Sequence, residues 1–192
     1  MRLKNQSDTL FSMLGEFLLL LILIFSLLML ITVMMNIFWG APFVPSNRKT
    51  VDLMIKESKF KKGMTVYDLG CGDGRLLIKA EKKYGIKGIG YDNAPLAYIS
   101  AQINKWINNS KIEIHAKNFF KVSLKDADAI YLYLTPEVQK KLSKKILKEC
   151  KPGTLIISNT FHLPGVEPLK TIPKNKKNRT KTIHFYKLKK KK

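Results

Sequence analysis

The chain opens with an apolar block and then changes to a pattern in which short apolar runs alternate with helical periodicity. Residues 17–38 are 22 positions without a charge, mostly Leu, Ile, Met, Phe and Val. At about 1.5 Å per residue, a helix of that length crosses the roughly 30 Å hydrocarbon core of a bilayer. A cleaved leader would have a shorter apolar region and a small-residue cleavage site, for which Ala41 beside Gly40 is a weak match. An uncleaved transmembrane anchor over 17–39 is therefore expected, behind a short N-terminal tail (1–16) and with Phe38 and Trp39 at the far interface. Residues 40–46, containing Ala41-Pro-Phe-Val-Pro-Ser46, read as a stiff extended connector, because each proline fixes its own φ and disfavours helix in the residue before it.

Beyond the connector the periods alternate. Val51, Met54, Ile55 and Ser58 share a helical face behind a cap at Ser46 or Asn47, and Lys61-Lys62-Gly63 ends that helix. Residues 65–67 are strand formers. Leu76, Leu77, Ala80 and Tyr84 return to helical spacing. Residues 86–91 read as a second buried strand. Leu96, Ala97, Ser100, Ile103 and Ile107 predict a helix to about Asn108, on which Trp106 is expected to pack. Residues 111–116 and 127–134 predict two more strands, and Thr135-Pro136 opens a helix whose inner face is Val138, Leu142, Ile146 and Cys150. A fifth strand over 154–158 and a terminal antiparallel hairpin over 166–172 and 182–188 complete the pattern. Strand and helix alternate and two strands finish, which is the doubly wound α/β class. One such domain, 47–188, follows the tail, anchor and connector, and a basic tail, 189–192, closes the 192 residues.

Charge adds partners to this picture. Residues 1–46 are formally neutral, with Arg2 and Lys4 against Asp8 and Glu16, so the whole formal +21 belongs to the rest of the chain. The positive-inside rule then places the domain on the cytoplasmic side. After Leu169 there are eleven Lys or Arg residues and no acid, ending in Lys189 to Lys192. Such a run favours an anionic lipid surface at about 1 kcal/mol per basic residue. Nucleic acid is the rival partner, and the anchor makes lipid the better expectation. The two cysteines, Cys71 and Cys150, give neither a disulfide framework nor metal-ligand spacing, and no metal is expected.

The candidate chemistry sits in Val66-Tyr-Asp-Leu-Gly-Cys-Gly-Asp-Gly-Arg75, a strand handing over to a helix through alternating glycines. Such a turn lets a ligand approach the backbone and meet the positive end of the helix. The order Gly70-x-Gly72-x-Gly74 differs from the dinucleotide spacing, and Asp68 and Asp73 are poor company for a pyrophosphate. They suit a ligand with cationic groups and ribose hydroxyls. Asp92, 24 residues after Asp68 at the end of the second strand, is placed to take both ribose hydroxyls or to cap the next helix.

The pattern D-x-G-x-G-x-G resembles motif I of the class I, seven-strand S-adenosylmethionine (SAM) methyltransferases. The connector, Asp68-Leu-Gly-Cys-Gly-Asp-Gly-Arg75, Gly90-Tyr-Asp-Asn93, a tyrosine-rich fourth strand and Phe161-His-Leu-Pro-Gly165 narrow the resemblance. Together they are similar to the membrane-anchored family of lysine methyltransferases that act on the ATP synthase c subunit and the adenine nucleotide translocator, with their prokaryotic relatives. The resemblance implies a Rossmann-like sheet of order 3-2-1-4-5-7-6. It also implies SAM bound by Asp68, Gly70, Cys71, Gly72, Gly74, Asp92, Asn93, Asn118 and Phe119. Asn118 stands where the adenine amino group is usually met, in place of the more usual Asp, and Phe119 either stacks on the base or joins the core. Methyl transfer to a protein lysine, on a membrane protein, is the implied activity. Tyr133, Thr135 and Glu137 follow the fourth strand, where substrates enter in this fold, as candidate catalytic residues. Thr135 also suits a helix cap and Glu137 a first-turn charge. His115, His162 and His184 show no paired spacing and receive no catalytic role. A lipid or quinone-like substrate, and a non-enzymatic basic binding module, stay open as alternatives.

Overall fold

The computed structural model describes the backbone of residues 2–39 and 46–189, with side chains from 11–34 and 46–189. The predicted connector, apart from Ser46, and the side chains of Phe38 and Trp39 lie outside the described residues.

The first helix, α1 (Arg2–Trp39), starts well before the apolar block. Within it, Phe11–Met34 forms 24 residues of mean hydropathy 3.1, long and apolar enough by length and composition to cross a membrane. The second helix, α2 (Arg48–Ser58), is capped by Asn47, whose side chain accepts the Lys49 N–H. It ends at a left-handed Lys59, a turn earlier than the glycine at 63 suggests.

A seven-stranded sheet follows, built from β1 (Thr65–Leu69), β2 (Lys87–Tyr91), β3 (Glu113–His115), β4 (Ala129–Leu132), β5 (Leu155–Asn159), β6 (Lys170–Ile172) and β7 (Ile183–Lys187). Its order is β3-β2-β1-β4-β5-β7-β6, parallel through β5 and antiparallel at β7 and β6. Several strands are shorter than their apolar runs; β6 keeps only the end of 166–172. The crossovers are α3 (Arg75–Tyr84), α4 (Pro95–Ile107) and α5 (Pro136–Glu149).

Parallel strands covered on both faces need two apolar layers, and both are present. Val66, Ala129, Tyr131, Ile157 and Phe185 meet α2 and α3 on one face, while Leu69, Ile130, Leu132, Ile156 and Tyr186 meet α5 on the other. Because side chains alternate along a strand, this pattern also decides what the sheet presents at its carboxyl ends. Asp68, Tyr131 and Asn159 share the parity of the first face, so three polar side chains cap an otherwise apolar layer beside α2 and α3.

One expectation fails on α4. Its buried side chains are Ala97 and Ala101, small enough to let the helix lie close, while Ile103, Ile107 and Trp106 face outward. Trp106 does not pack. Periodicity tells which residues share a face and not whether anything covers it.

Candidate active site

The glycine turn closes on the end of β2. Gly70 and Cys71 both donate their N–H groups to the Tyr91 carbonyl, at 2.8 and 3.1 Å, and Gly74 donates to Cys71 O at 2.9 Å. Gly70, Gly72 and Gly74 all have positive φ (83°, 57° and 72°), a conformation costly for any residue with a Cβ. The floor of the turn is Gly90, where an added Cβ would lie 2.8 Å from Cys71 Sγ and 2.9 Å from Cys71 Cβ. Cys71 is thus buried against the second strand, with burial and the carboxylates of Asp68 and Asp92 pushing its thiol pKa up, and it packs as a small apolar residue.

Asp92 acts on this turn directly. Its Oδ2 accepts the Gly72 N–H at 2.9 Å and its Oδ1 accepts the Ala94 N–H at 3.0 Å. The cap of α4 is Ala94, with Pro95 in the first turn, so Asp92 is not the helix cap that its position allows. A carboxylate has about four lone-pair sites, so acceptor capacity remains for hydroxyl donors. Burial raises the Asp92 pKa, while the backbone N–H groups pull it back down. Asn93 is half-buried beside it.

Asp68 differs in kind. It is 2% exposed, and among the described residues its Oδ1 has no hydrogen-bond partner. Burial, then Asp92 and Asp73, hold its pKa well above the usual carboxylate range. A buried, unpartnered carboxyl is costly unless something cationic completes it. Asp73 is satisfied already: Arg75 Nε reaches both of its oxygens at 2.8 Å and Nη2 reaches Oδ2 at 2.5 Å. Arg75 Nη1 also donates to Ser46 O at 3.1 Å, hooking the segment before α2 onto the turn.

Ser46 leads to a network that the sequence does not announce. Its hydroxyl lies 2.8 Å from the Tyr131 hydroxyl, and Asn159 Nδ2 donates to Ser46 Oγ at 3.2 Å and to Tyr131 Oη at 3.3 Å. Tyr131 is in register with Asp68 on the neighbouring strand. Its phenol pKa is raised by burial and by Asp68, so it keeps its proton and is not a base at neutral pH. Thr160, immediately after Asn159, has φ +72°, an outlier for a β-branched residue, and donates to Asn159 Oδ1 at 3.1 Å. The signals were present as Ser46 in the connector and a polar residue closing β5. Removing only the Tyr131 hydroxyl leaves Ser46 and Asn159 paired with each other. Tyr131→Phe is therefore expected to cost about 1 kcal/mol in denaturant unfolding, the net value of an intramolecular hydrogen bond.

The other predicted residues are spread more widely. Tyr133 is half-buried against the same core as Tyr131, and Thr135 begins α5, its carbonyl accepting the Gln139 N–H at 2.9 Å. Glu137 is exposed in the first turn of α5. Asn118 Oδ1 accepts the Phe120 N–H at 2.9 Å and caps a short 3₁₀ turn over Phe119–Lys121. Phe119 and Phe120 tilt against each other at 4.9 Å, and both pack on the α5-side core. The structure also pairs two histidines that sequence spacing separates: the rings of His162 and His184 lie 3.8 Å apart, and burial with the neighbouring imidazole lowers the His184 pKa. Tyr186 is buried beside them, its hydroxyl accepting the Leu163 N–H at 2.9 Å and lying 3.5 Å from His162 Nδ1.

Residues 68–170 match the family model of the ANTKMT methyltransferase domain. The chain belongs to that family. A protein-lysine N-methyltransferase of Saccharolobus islandicus is 33% identical over 148 residues, covering 76% of this chain and 92% of the relative. An adenine nucleotide translocase lysine N-methyltransferase of Mus musculus is 28% identical over 133 residues, covering 68% of this chain and 58% of its own length. Among solved structures, an RNA methyltransferase of Salinibacter ruber in complex with S-adenosyl-L-homocysteine superposes with a TM-score of 0.72 at 26% identity. It covers 78% of this chain and 96% of its own. The ANTKMT-family chain is a methyltransferase with the seven-strand class I sheet, and SAM is its cofactor.

The residues present fit that cofactor. The unpartnered Asp68 oxygen suits a cationic group, Asp92 retains acceptor sites for hydroxyls, and the three left-handed glycines keep the surface of the turn free of side chains.

Proposed function

We propose that this chain is a membrane-anchored protein-lysine N-methyltransferase whose substrate is a membrane protein. The observation that carries the substrate class is the archaeal protein-lysine methyltransferase, similar over 92% of its length. The translocase methyltransferase of the mouse, named for a membrane protein, supports the finer reading. In this reading α1 spans the bilayer through Phe11–Met34, the charge asymmetry holds the domain on the cytoplasmic side, and the basic C-terminal run lies toward anionic lipid.

SAM, when bound, supplies a methyl group already activated on a sulfonium. The chain's own task is to present a neutral amine in line with it, and orientation alone is worth many orders of magnitude in rate. Lysine has a reference pKa of about 10.4, so the amine must shed its proton to water or to a neighbouring acceptor before it reacts. Asp68, Gly70, Cys71, Gly72, Gly74, Asp92 and Asn93 form the cofactor side, with Asn118 and Phe119 toward the base. In this reading Tyr133, after β4, lines the methyl path, and Thr135 or Glu137, at the start of α5, orients the amine.

A second reading rests on the formal +21 charge and the RNA methyltransferase neighbour. The test separates them. Cell membranes and total RNA are incubated with the full chain and SAM labelled at its methyl group. Label in a membrane protein, recovered as methyl-lysine and absent with Asp92→Ala, is expected. Label in RNA or in the organic extract overturns the substrate assignment. Asp92→Ala removes acceptors for both the turn and the hydroxyls, and a loss of SAM affinity of about tenfold or more is expected by calorimetry.

A further inference from the structure

The outward face of α4 is apolar where a solvated helix would be charged. Ile99, Ile103, Trp106 and Ile107 are 41, 51, 83 and 65% exposed. Spaced by three and four, they form one stripe along a helix roughly 20 Å long. The opposite side of the same helix is fixed. Ala97 and Ala101 are buried, and Asn104 Nδ2 donates to Asp73 O at 3.0 Å, tying α4 to the glycine turn.

The position of this stripe says what covers it. Among the described elements, α1 packs against α4. The burial on α1 falls near the C-terminal end of its apolar span, at Leu28 and Thr32. An apolar stripe on the helix beside a membrane span meets the same bilayer. An exposed tryptophan in the last turn, next to Lys105, is the composition of a helix lying at the headgroup boundary, where indole rings are enriched and lysine stems reach toward water.

We infer that α4 is a second membrane contact: it lies in the interface of the bilayer that α1 crosses, with Ile99, Ile103, Trp106 and Ile107 among the lipid chains. The inference rests on the anchored reading of α1 given above. Its consequence is orientation. A single span leaves a domain free to swivel, whereas a span plus an interfacial helix bonded to the Asp73 carbonyl sets the angle of the cofactor edge to the membrane plane.

The chain contains two tryptophans, so each can be read separately. Full-length Trp39→Phe, which keeps Trp106, and Trp106→Phe, which keeps Trp39, are reconstituted in vesicles of phosphatidylcholine and phosphatidylglycerol. Brominated acyl chains quench from the lipid side and acrylamide from the water side. Trp106 is expected to be quenched by the brominated lipid and to lose acrylamide quenching several-fold relative to detergent-solubilised chain, at every protein-to-lipid ratio. Quenching of Trp39 by lipid with Trp106 still open to acrylamide would overturn the inference and leave the anchor standing. Shielding of Trp106 that vanishes on dilution in lipid would assign the stripe to a second copy of the chain and overturn it as well. If neither tryptophan is quenched by lipid, the anchored reading fails and the inference falls with it.

Discussion

Asp68→Asn is expected to make the unliganded domain more stable at neutral pH while weakening SAM binding by about 10- to 100-fold, the equivalent of a hydrogen bond to a charged group. The two effects share one cause. Asp68 is buried with an unpartnered oxygen, and burial together with Asp92 and Asp73 raises its pKa well above 3.8. A raised carboxyl pKa means that the folded chain holds the proton more tightly than the unfolded chain. Its contribution to stability is therefore intact below the ordinary carboxylate range and is lost as pH rises through the raised value. Asparagine cannot ionise, so the variant escapes that loss. In denaturant titrations the variant's advantage should be absent in acid, widen as pH passes through the raised value, and then level off. Calorimetry supplies the second arm: a cation completing Asp68 must displace its proton, so wild-type affinity should rise with pH in the same interval and the variant's should not. Identical stability curves at every pH would show that Asp68 is not strained in the free domain.

Gly90→Ala is expected to cost about 1–3 kcal/mol of stability, as an overpacked core does, and to abolish measurable SAM binding. The new methyl would sit 2.8 Å from Cys71 Sγ, 2.9 Å from Cys71 Cβ and 3.0 Å from Ile114 Cδ1. The isoleucine methyl can swing aside. The Cys71 Cβ is fixed to backbone whose N–H bonds to Tyr91 O, so relief requires the whole turn to lift off β2. The glycines and the Gly72–Asp92 bond would move with it. Because the clash is with a side chain, it has a specific remedy. Adding Cys71→Gly removes both offending atoms and should recover much of the binding lost in Gly90→Ala. Thermal melts and SAM titrations of the single and double variants check both parts, and a double variant no better than Gly90→Ala would place the damage elsewhere.

The order of strands and the position of the turn were readable because they depend on local chemistry: glycine spacing, apolar runs and an acid closing β2. The turn's internal wiring was less so. Asp92 looks like a helix cap in sequence, yet it spends its carboxylate on Gly72, 20 residues back, a bond that exists only once β1 and β2 are side by side. Ser46, Tyr131 and Asn159 each look like ordinary loop or strand residues. Their meeting depends on alternation placing Tyr131 and Asn159 on the same face of the sheet. The isoleucines of α4 show the converse limit: the helix was legible, but alanines at 97 and 101 rather than isoleucines face the sheet, since the close approach of α4 leaves room only for methyl groups. His162, in the loop after β5, meets His184 on β7 with no trace in their spacing.

The seam between α2 and the last two strands bears on the order of assembly. Lys181 N–H donates to Thr50 Oγ1 across 131 residues, Lys170 pairs with Glu57 at 2.6 Å, and Asn159 reaches back to Ser46. Contacts of such sequence separation form late, after the loops between them have been closed. During synthesis the apolar N-terminal helix emerges first, and α2 can dock on α3 through its apolar face and the Asp52–Lys79 pair before its seam with the last two strands closes. The contacts of Ser46, Thr50 and Glu57 with the C-terminal strands would thus be the last to form, completing an edge whose α3 side is already in place.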